Sequence, residues 1–332
     1  MAESITSYND LSFHMDSKGL EAVIKNYPIL INPYYFSLIK DYNDPVFKQS
    51  VPDLLELQTK CISDPFVEDK TDSSFIHRYP DRILIKTSAR CAVNCRHCMR
   101  KREIGKKEIP LLDDAIDYIK SEKTISEVIL SGGDPLMLDT RYLNELLNEL
   151  DNINHVSTIR IHSRVLCTLP QRITDNLVNV LSGRKSLYII THFNHPNEIT
   201  EYSEEACGKL INKGIPLGCQ TVLLRGINNN HIVMGELFKE LVRIKVKPYY
   251  LHHPDPIKGT DHFRVNISEG LEIMKRLRGK LSGLCIPQYM LELPDGGGKI
   301  PLLPEYIKKR EDGVLKIENY NGEIYYYKEP SN

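Results

Sequence analysis

Between residues 82 and 277 the chain repeats one pattern: a short β-prone apolar run, a turn, then an amphipathic helix. The strand-like runs fall at 82–88, 127–131, 158–163, 187–193, 220–224 and 248–251. Helical spacing recurs between them. Ala115, Ile116 and Ile119 share one face of a segment at 113–120, and Leu143, Leu146, Leu147 and Leu150 share one at 142–150. Thr200 is placed to N-cap a helix that stops at Gly214. Two more helices are expected at 234–242 and 271–277. Strands that alternate with helices must be joined by right-handed crossovers into a parallel sheet. Six of them predict an α/β protein with a partial (β/α)6 barrel.

The rest of the chain divides around that unit. Residues 1–76 are broken by Pro28, Pro33, Pro45 and Pro52, which predicts a helical N-terminal wrap. Residues 77–280 form the barrel. Residues 281–332 form a C-terminal segment, with a hairpin around Asn321-Gly322.

In such barrels chemistry belongs at the C-terminal ends of the strands. The polar residues concentrate there: three cysteines after the first run, Gly132-Gly133-Asp134 after the second, and Arg164 after the third. His192 and Asn194 follow the fourth, Arg225 the fifth, and His252, His253 and Asp255 the sixth.

Composition excludes several classes of partner. Over 332 residues the net charge is -1, which offers no general attraction to nucleic acid or an anionic membrane. The first ten residues have no basic stretch followed by an apolar one, and no apolar run reaches the roughly 20 residues of a membrane span. A soluble cytoplasmic protein is expected. Of eight cysteines, only Cys91, Cys95 and Cys98 cluster. Cys61, Cys167, Cys207, Cys219 and Cys285 read as buried small hydrophobes.

The C-x3-C-x2-C loop can hold three corners of a cubane iron–sulfur cluster and leave the fourth iron open. A zinc site is the alternative, but it wants a fourth ligand, and His97 is poorly placed inside so short an arc. The Gly132-Gly133 pair lets backbone approach a ligand, although Gly-Gly-Asp is also a common turn. Lys299 follows three glycines. A lysine amine can bind pyridoxal phosphate, and it can equally be a solvated loop residue.

The cysteine spacing resembles that of radical S-adenosylmethionine enzymes. The chain as a whole resembles the lysine 2,3-aminomutase family from about Asn32 to Tyr306. The marks are His77-Arg-Tyr-Pro-Asp-Arg82, Cys95-Arg-His-Cys98, Leu130-Ser-Gly-Gly-Asp134, Pro170-Gln-Arg-Ile173 and Thr191-His-Phe-Asn-His-Pro-Asn-Glu198. Further along come Gln220-Thr-Val-Leu-Leu-Arg-Gly226, Lys247-Pro-Tyr-Tyr250, His262-Phe-Arg264 and Gly296-Gly-Gly-Lys-Ile-Pro301.

The resemblance implies three cofactors: a 4Fe-4S cluster, S-adenosylmethionine and pyridoxal phosphate. By the same resemblance Cys91, Cys95 and Cys98 hold the cluster. Gly132, Gly133, Asp134, His192 and Gln220 meet S-adenosylmethionine. Lys299 carries pyridoxal phosphate, whose phosphate Arg78 and Arg82 grip. Arg100 pairs with the substrate carboxylate, and Asp255 with Glu292 faces a cationic side chain. The implied activity is an isomerase, moving the amino group of L-lysine to give β-lysine.

Alternatives inside the family are arginine or ornithine as substrate, and β-lysine made for attachment to elongation factor P. Cys91-Ala-Val-Asn-Cys95, Arg160-Ile-His-Ser-Arg164 and Glu292 are similar to the elongation factor P subgroup. Outside it stand a radical enzyme without pyridoxal phosphate and a zinc or iron–sulfur binding module. An external reductant such as flavodoxin or ferredoxin is implied, and a homo-oligomer is left open. The family's long members bind structural zinc through a C-terminal extension and a barrel cysteine. Here the matching position is Asn230, so no zinc is expected.

Overall fold

The computed structural model describes residues 4–7, 17–63, 65–66, 74–105, 112–184 and 186–330. An N-terminal wrap of three short helices, α1 (Ser17–Asn26), α2 (Pro33–Ser37) and α3 (Pro45–Ser50), leads into β1 (Phe75–Tyr79) and β2 (Arg82–Ser88). Then follow α4 (Asp113–Ser121), β3 (Glu127–Gly132), α5 (Thr140–Asp151), β4 (Thr158–His162), α6 (Val165–Thr168), α7 (Asp175–Leu181) and β5 (Leu187–Thr191). After these come α8 (Glu201–Asn212), β6 (Leu217–Val222), α9 (His231–Arg243), β7 (Lys247–His252), α10 (Ile267–Leu277), β8 (Gln288–Leu293) and β9 (Gly298–Pro301).

The nine strands form one sheet in sequence order. β2 to β8 are mutually parallel, and β1 and β9 flank them antiparallel. The observed barrel therefore has seven parallel strands where the sequence predicts six. α10 is the crossover from β7 to β8, and the short apolar run of β8 gives too little period to be read as a seventh strand by itself.

The alternation along β2 shows how the layers arise. Ile83 and Ile85 are fully buried toward the helices, while Leu84 and Lys86 face the barrel interior. On α5, Leu143, Leu146, Leu147 and Leu150 bury the facing stripe, each leucine contributing about 1.5–3 kcal/mol. Thr200 caps α8 by accepting from the Ser203 backbone N–H at 3.2 Å, and Ser203 Oγ accepts from the Thr200 N–H at 2.7 Å.

The fifth strand-like run is shifted. β6 occupies Leu217–Val222, because Gly218 is a strand residue that composition disguises. A Cβ there would lie 2.9 Å from Ile190 Cδ1, so the glycine leaves the space that the Ile190 side chain fills between β5 and β6. Cys167, Cys207, Cys219 and Cys285 are buried, as expected, whereas Cys61 is half-buried in a turn beside Arg264. The C-terminal hairpin is part of a separate three-stranded antiparallel sheet, β10 (Ile307–Glu311), β11 (Val314–Glu318) and β12 (Ile324–Lys328). Among the described residues no helix is long and apolar enough to cross a membrane.

Candidate active site

The C-terminal ends of the parallel strands surround a cavity of about 330 Å³. Cys91, Cys95 and Cys98 line it, together with Gly132, Gly133, His192 and Gln220. Arg78, Arg100, Asp255, Glu292 and Lys299 line the same space. Arg82 does not: its guanidinium stacks 3.9 Å over the Tyr79 ring and pairs with Asp81 at 2.9 Å, at the turn between β1 and β2. Arg225 is exposed and bonds the Arg264 carbonyl at 2.6 Å, away from the cavity. Asn230 caps α9 by accepting from the Ile232 N–H.

The cysteine loop leaves β2 and is held from below by the wrap. The Asn94 N–H donates to Leu30 O and the Arg96 N–H to Gln49 O, each at 2.8 Å. Arg96 and Lys101 are almost wholly buried and converge on the buried Glu56. Arg96 Nε reaches Glu56 Oε1 at 2.9 Å and Nη2 reaches Oε2 at 2.6 Å. Lys101 Nζ donates to Glu56 Oε2 at 2.7 Å and to the Gly259 carbonyl at 2.7 Å. Burial opposes charge on Glu56, but Arg96 and Lys101 outweigh it and hold its pKa below the usual carboxylate value. Burial pulls Lys101 down to about 8. Nothing in the sequence singles out Glu56, yet it ties the N-terminal wrap to the cysteine loop, and Lys101 carries the link on to Gly259 in the turn after Asp255.

Gly132 and Gly133 press β3 against the root of the same loop. Gly132 has φ +110°, and a Cβ on Gly133 would lie 2.4 Å from Arg90 O. Asp134, expected to meet S-adenosylmethionine, also lines the cavity, and its carboxylate is held by the chain. It accepts from Ser163 Oγ and the Arg164 N–H at 2.7 Å each and from the Leu136 N–H at 3.0 Å. Burial still pushes it up to about 6.

On the far side, β8 and β9 pair so that Glu292 stands opposite Lys299. Glu292 Oε1 accepts from Arg78 Nη1 at 2.6 Å, and its other oxygen pairs with Lys299 Nζ. The glycine run before Lys299 makes this register possible. Gly296 and Gly298 have φ +81° and +78° in the hairpin, and the Lys299 N–H donates to Tyr79 Oη at 2.8 Å. Those glycines thus serve the turn, which sequence alone left open.

Three imidazoles complete the interior. Burial drives His192 down to about 4 and His252 down to about 3, with Arg164 and Lys299 respectively adding to the effect. Burial holds His162 well below its ordinary value, and its Nε2 has no hydrogen-bond partner. All three are neutral at pH 7, so they bring ring nitrogens and no charge to the interior.

Comparison with known proteins matches this geometry. Residues 85–234 match the Radical SAM superfamily and residues 274–332 match the family described as Lysine-2,3-aminomutase. A putative L-lysine 2,3-aminomutase of Aquifex aeolicus is 46% identical over 94% of this chain and 87% of its own length. The chain belongs to the lysine 2,3-aminomutase family. The L-lysine 2,3-aminomutase of Clostridium subterminale is 44% identical over 96% of this chain and 79% of its own. A glutamate 2,3-aminomutase of Clostridioides difficile is 45% identical over 89% and 72%. Identity therefore does not separate the two substrates.

This aminomutase is an isomerase whose cofactors are a 4Fe-4S cluster, S-adenosylmethionine and pyridoxal phosphate. The residues fit them. Three sulfurs share one wall of a cavity, and burial first of all pushes Cys98 up to about 11 and Cys91 well above its usual value. Buried thiols of this kind ionise when a metal supplies the compensating charge. The glycine cradle beside them leaves no room for a side chain, and Lys299 and Arg78 line the same cavity, bringing an amine and a planar guanidinium fork to it.

Proposed function

We propose that this chain interconverts L-lysine and β-lysine by moving the α-amino group to Cβ. The observation that carries the reading is one cavity lined by the guanidinium of Arg100 and by two carboxylates, Asp255 and Glu292. An amino acid whose side chain ends in a cation matches that polarity, and glutamate opposes it.

When bound, S-adenosylmethionine on the reduced cluster supplies a radical that removes a substrate hydrogen, and pyridoxal phosphate supplies the group through which nitrogen migrates. The chain supplies position and charge. Cys91, Cys95 and Cys98 hold the cluster. Gly132, Gly133, His192 and Gln220 form the S-adenosylmethionine wall, with Asp134 bracing it. Lys299 holds pyridoxal phosphate, and Arg78 faces its phosphate, with Arg82 completing the grip once it leaves Asp81. Arg100 binds the substrate carboxylate, and Asp255 with Glu292 takes the distal ammonium. Before substrate arrives, Glu292 neutralises Arg78 and Lys299. That pairing keeps the buried carboxylate from standing uncompensated. Electrons come from an external reductant such as flavodoxin or ferredoxin in the cytoplasm.

The test is anaerobic reconstitution with iron, sulfide, both organic cofactors and a reductant. Lysine, arginine, ornithine and glutamate are then incubated separately and the β-isomers measured. Lysine should give the β-isomer. Conversion of glutamate with lysine left untouched would refute the reading. Lys299→Ala should remove the visible absorbance of bound pyridoxal phosphate.

A further inference from the structure

The block Thr191 to Glu198 marks the family resemblance, and of its residues only His192 enters the site above. Its last residue explains why the block is there. Glu198 is fully buried, and its Oε1 pairs with Arg164 Nη2 and accepts from Tyr35 Oη at 2.6 Å. Its Oε2 accepts from the Asn194 and His195 N–H groups at 2.5 and 3.0 Å. Gln49 Oε1 accepts from Arg164 Nη2 at 2.6 Å and from Asn194 Nδ2 at 2.9 Å. The Arg164 backbone is fixed as well, by its N–H on Asp134 at 2.7 Å. Arg164 Nε donates to the His192 carbonyl at 3.3 Å, and the remaining nitrogen of the fork is aimed at sulfur: Arg164 Nη1 lies 2.7 Å from Cys95 Sγ.

We propose that Arg164, aimed and partly neutralised by Glu198, sets the reduction potential of the cluster through its hydrogen bond to Cys95. Arg164 is a positioning and tuning residue that acts through a cluster ligand. The physical reason is charge. Reduction adds one electron, from the external donor, to a cluster already bound by three thiolates. A guanidinium donating to one of those sulfurs stabilises the more negative, reduced form and raises the potential. Its side chain is 11% exposed and Glu198 is 0% exposed, so solvent screens the two charges little. Glu198 holds the donor in place and offsets part of its field. Its loss and the loss of Arg164 therefore move the potential in opposite directions, which a merely structural pair would not do.

The inference rests on the reading that Cys91, Cys95 and Cys98 bind the cluster. Iron and sulfide content, with the signal of the reduced wild-type cluster, test that reading separately. The experiment itself is a redox titration of the reconstituted full chain, followed by electron paramagnetic resonance without S-adenosylmethionine. Removing the substrate and cofactor leaves the thiolate contact as the variable. Arg164→Gln should titrate at a more negative potential, by about a tenfold change in the reduced-to-oxidised ratio, which is about 59 mV for one electron. Glu198→Gln should titrate at a more positive potential by several-fold in the same ratio. Arg164→Lys, which keeps the charge and loses the fork, should fall between wild type and Arg164→Gln. An Arg164→Gln potential within twofold of wild type overturns the proposal, and so does movement of both variants in one direction. Should Arg164→Gln fail to hold a cluster, Glu198→Gln decides alone: a rise supports tuning, and no change or a fall overturns it.

Discussion

Gly133→Ala tests how closely the strand end must approach the cysteine loop. The added methyl carbon would lie 2.4 Å from Arg90 O, 2.8 Å from Arg90 N and 2.9 Å from Ser88 O. All three are backbone atoms at the root of the cluster loop, so no side-chain rotation relieves the overlap. Ordinary contact begins near 3.4 Å, and the end of β3 must therefore withdraw from the loop by about 1 Å, a misplacement that can cost 10²-fold in rate. The movement also stretches two hydrogen bonds, Gly133 N–H to Ser88 O and Asp134 N–H to Arg90 O at 2.7 Å. Each buried donor left unsatisfied costs about 1–3 kcal/mol. The displacement is confined to the C-terminal end of β3 and the turn after it, so far-ultraviolet circular dichroism should match wild type. S-adenosylmethionine affinity, measured by equilibrium dialysis on the reconstituted protein, should fall at least about tenfold, and 5′-deoxyadenosine release about 10²-fold. Wild-type affinity together with wild-type release would show that the close approach has no role in cofactor binding.

Gly208→Ala is the matching control. It lies in the interior of α8 with nothing within 4 Å of the added carbon, so the denaturation midpoint should rise by the equivalent of about 0.5–1 kcal/mol with cofactor binding unchanged. Glu56→Gln breaks the buried ion pairs with Arg96 and Lys101 and should cost about 3–5 kcal/mol in urea unfolding followed by circular dichroism; a loss under about 1 kcal/mol would mean the two cations relax to other partners. In the cofactor-free protein, His192 and His252 titrate at about 4 and 3 against 6.5 when unfolded. The unfolded chain thus binds more protons below pH 6.5, and stability is lost as pH falls through that range. Asp134, raised from 3.8 to about 6, works the other way between those values. His192→Gln with His252→Gln should flatten the fall in melting temperature between pH 7 and 5, and Asp134→Asn should steepen it.

The strand and helix periods were legible because each is a local property of side-chain spacing. So were the cysteine loop and the glycine cradle, whose parts lie within a few residues of one another. β8 escaped because a single apolar run without its partner gives no period to read. The position of β6 escaped because Gly218 is chosen for a neighbour, Ile190, that only the sheet supplies.

What sequence alone determined about this protein is therefore its repertoire: a βα barrel, three thiolates, a glycine turn and a lysine at the end of a hairpin. The tertiary structure decided which charges meet. Glu56 reaches Arg96 across 40 residues, Cys95 receives Arg164 across 69, and Arg78 finds Glu292 across 214. Those distances along the chain carry no periodic signal. Strand order and register close them, and a charge buried by that closure must find its partner or be neutralised.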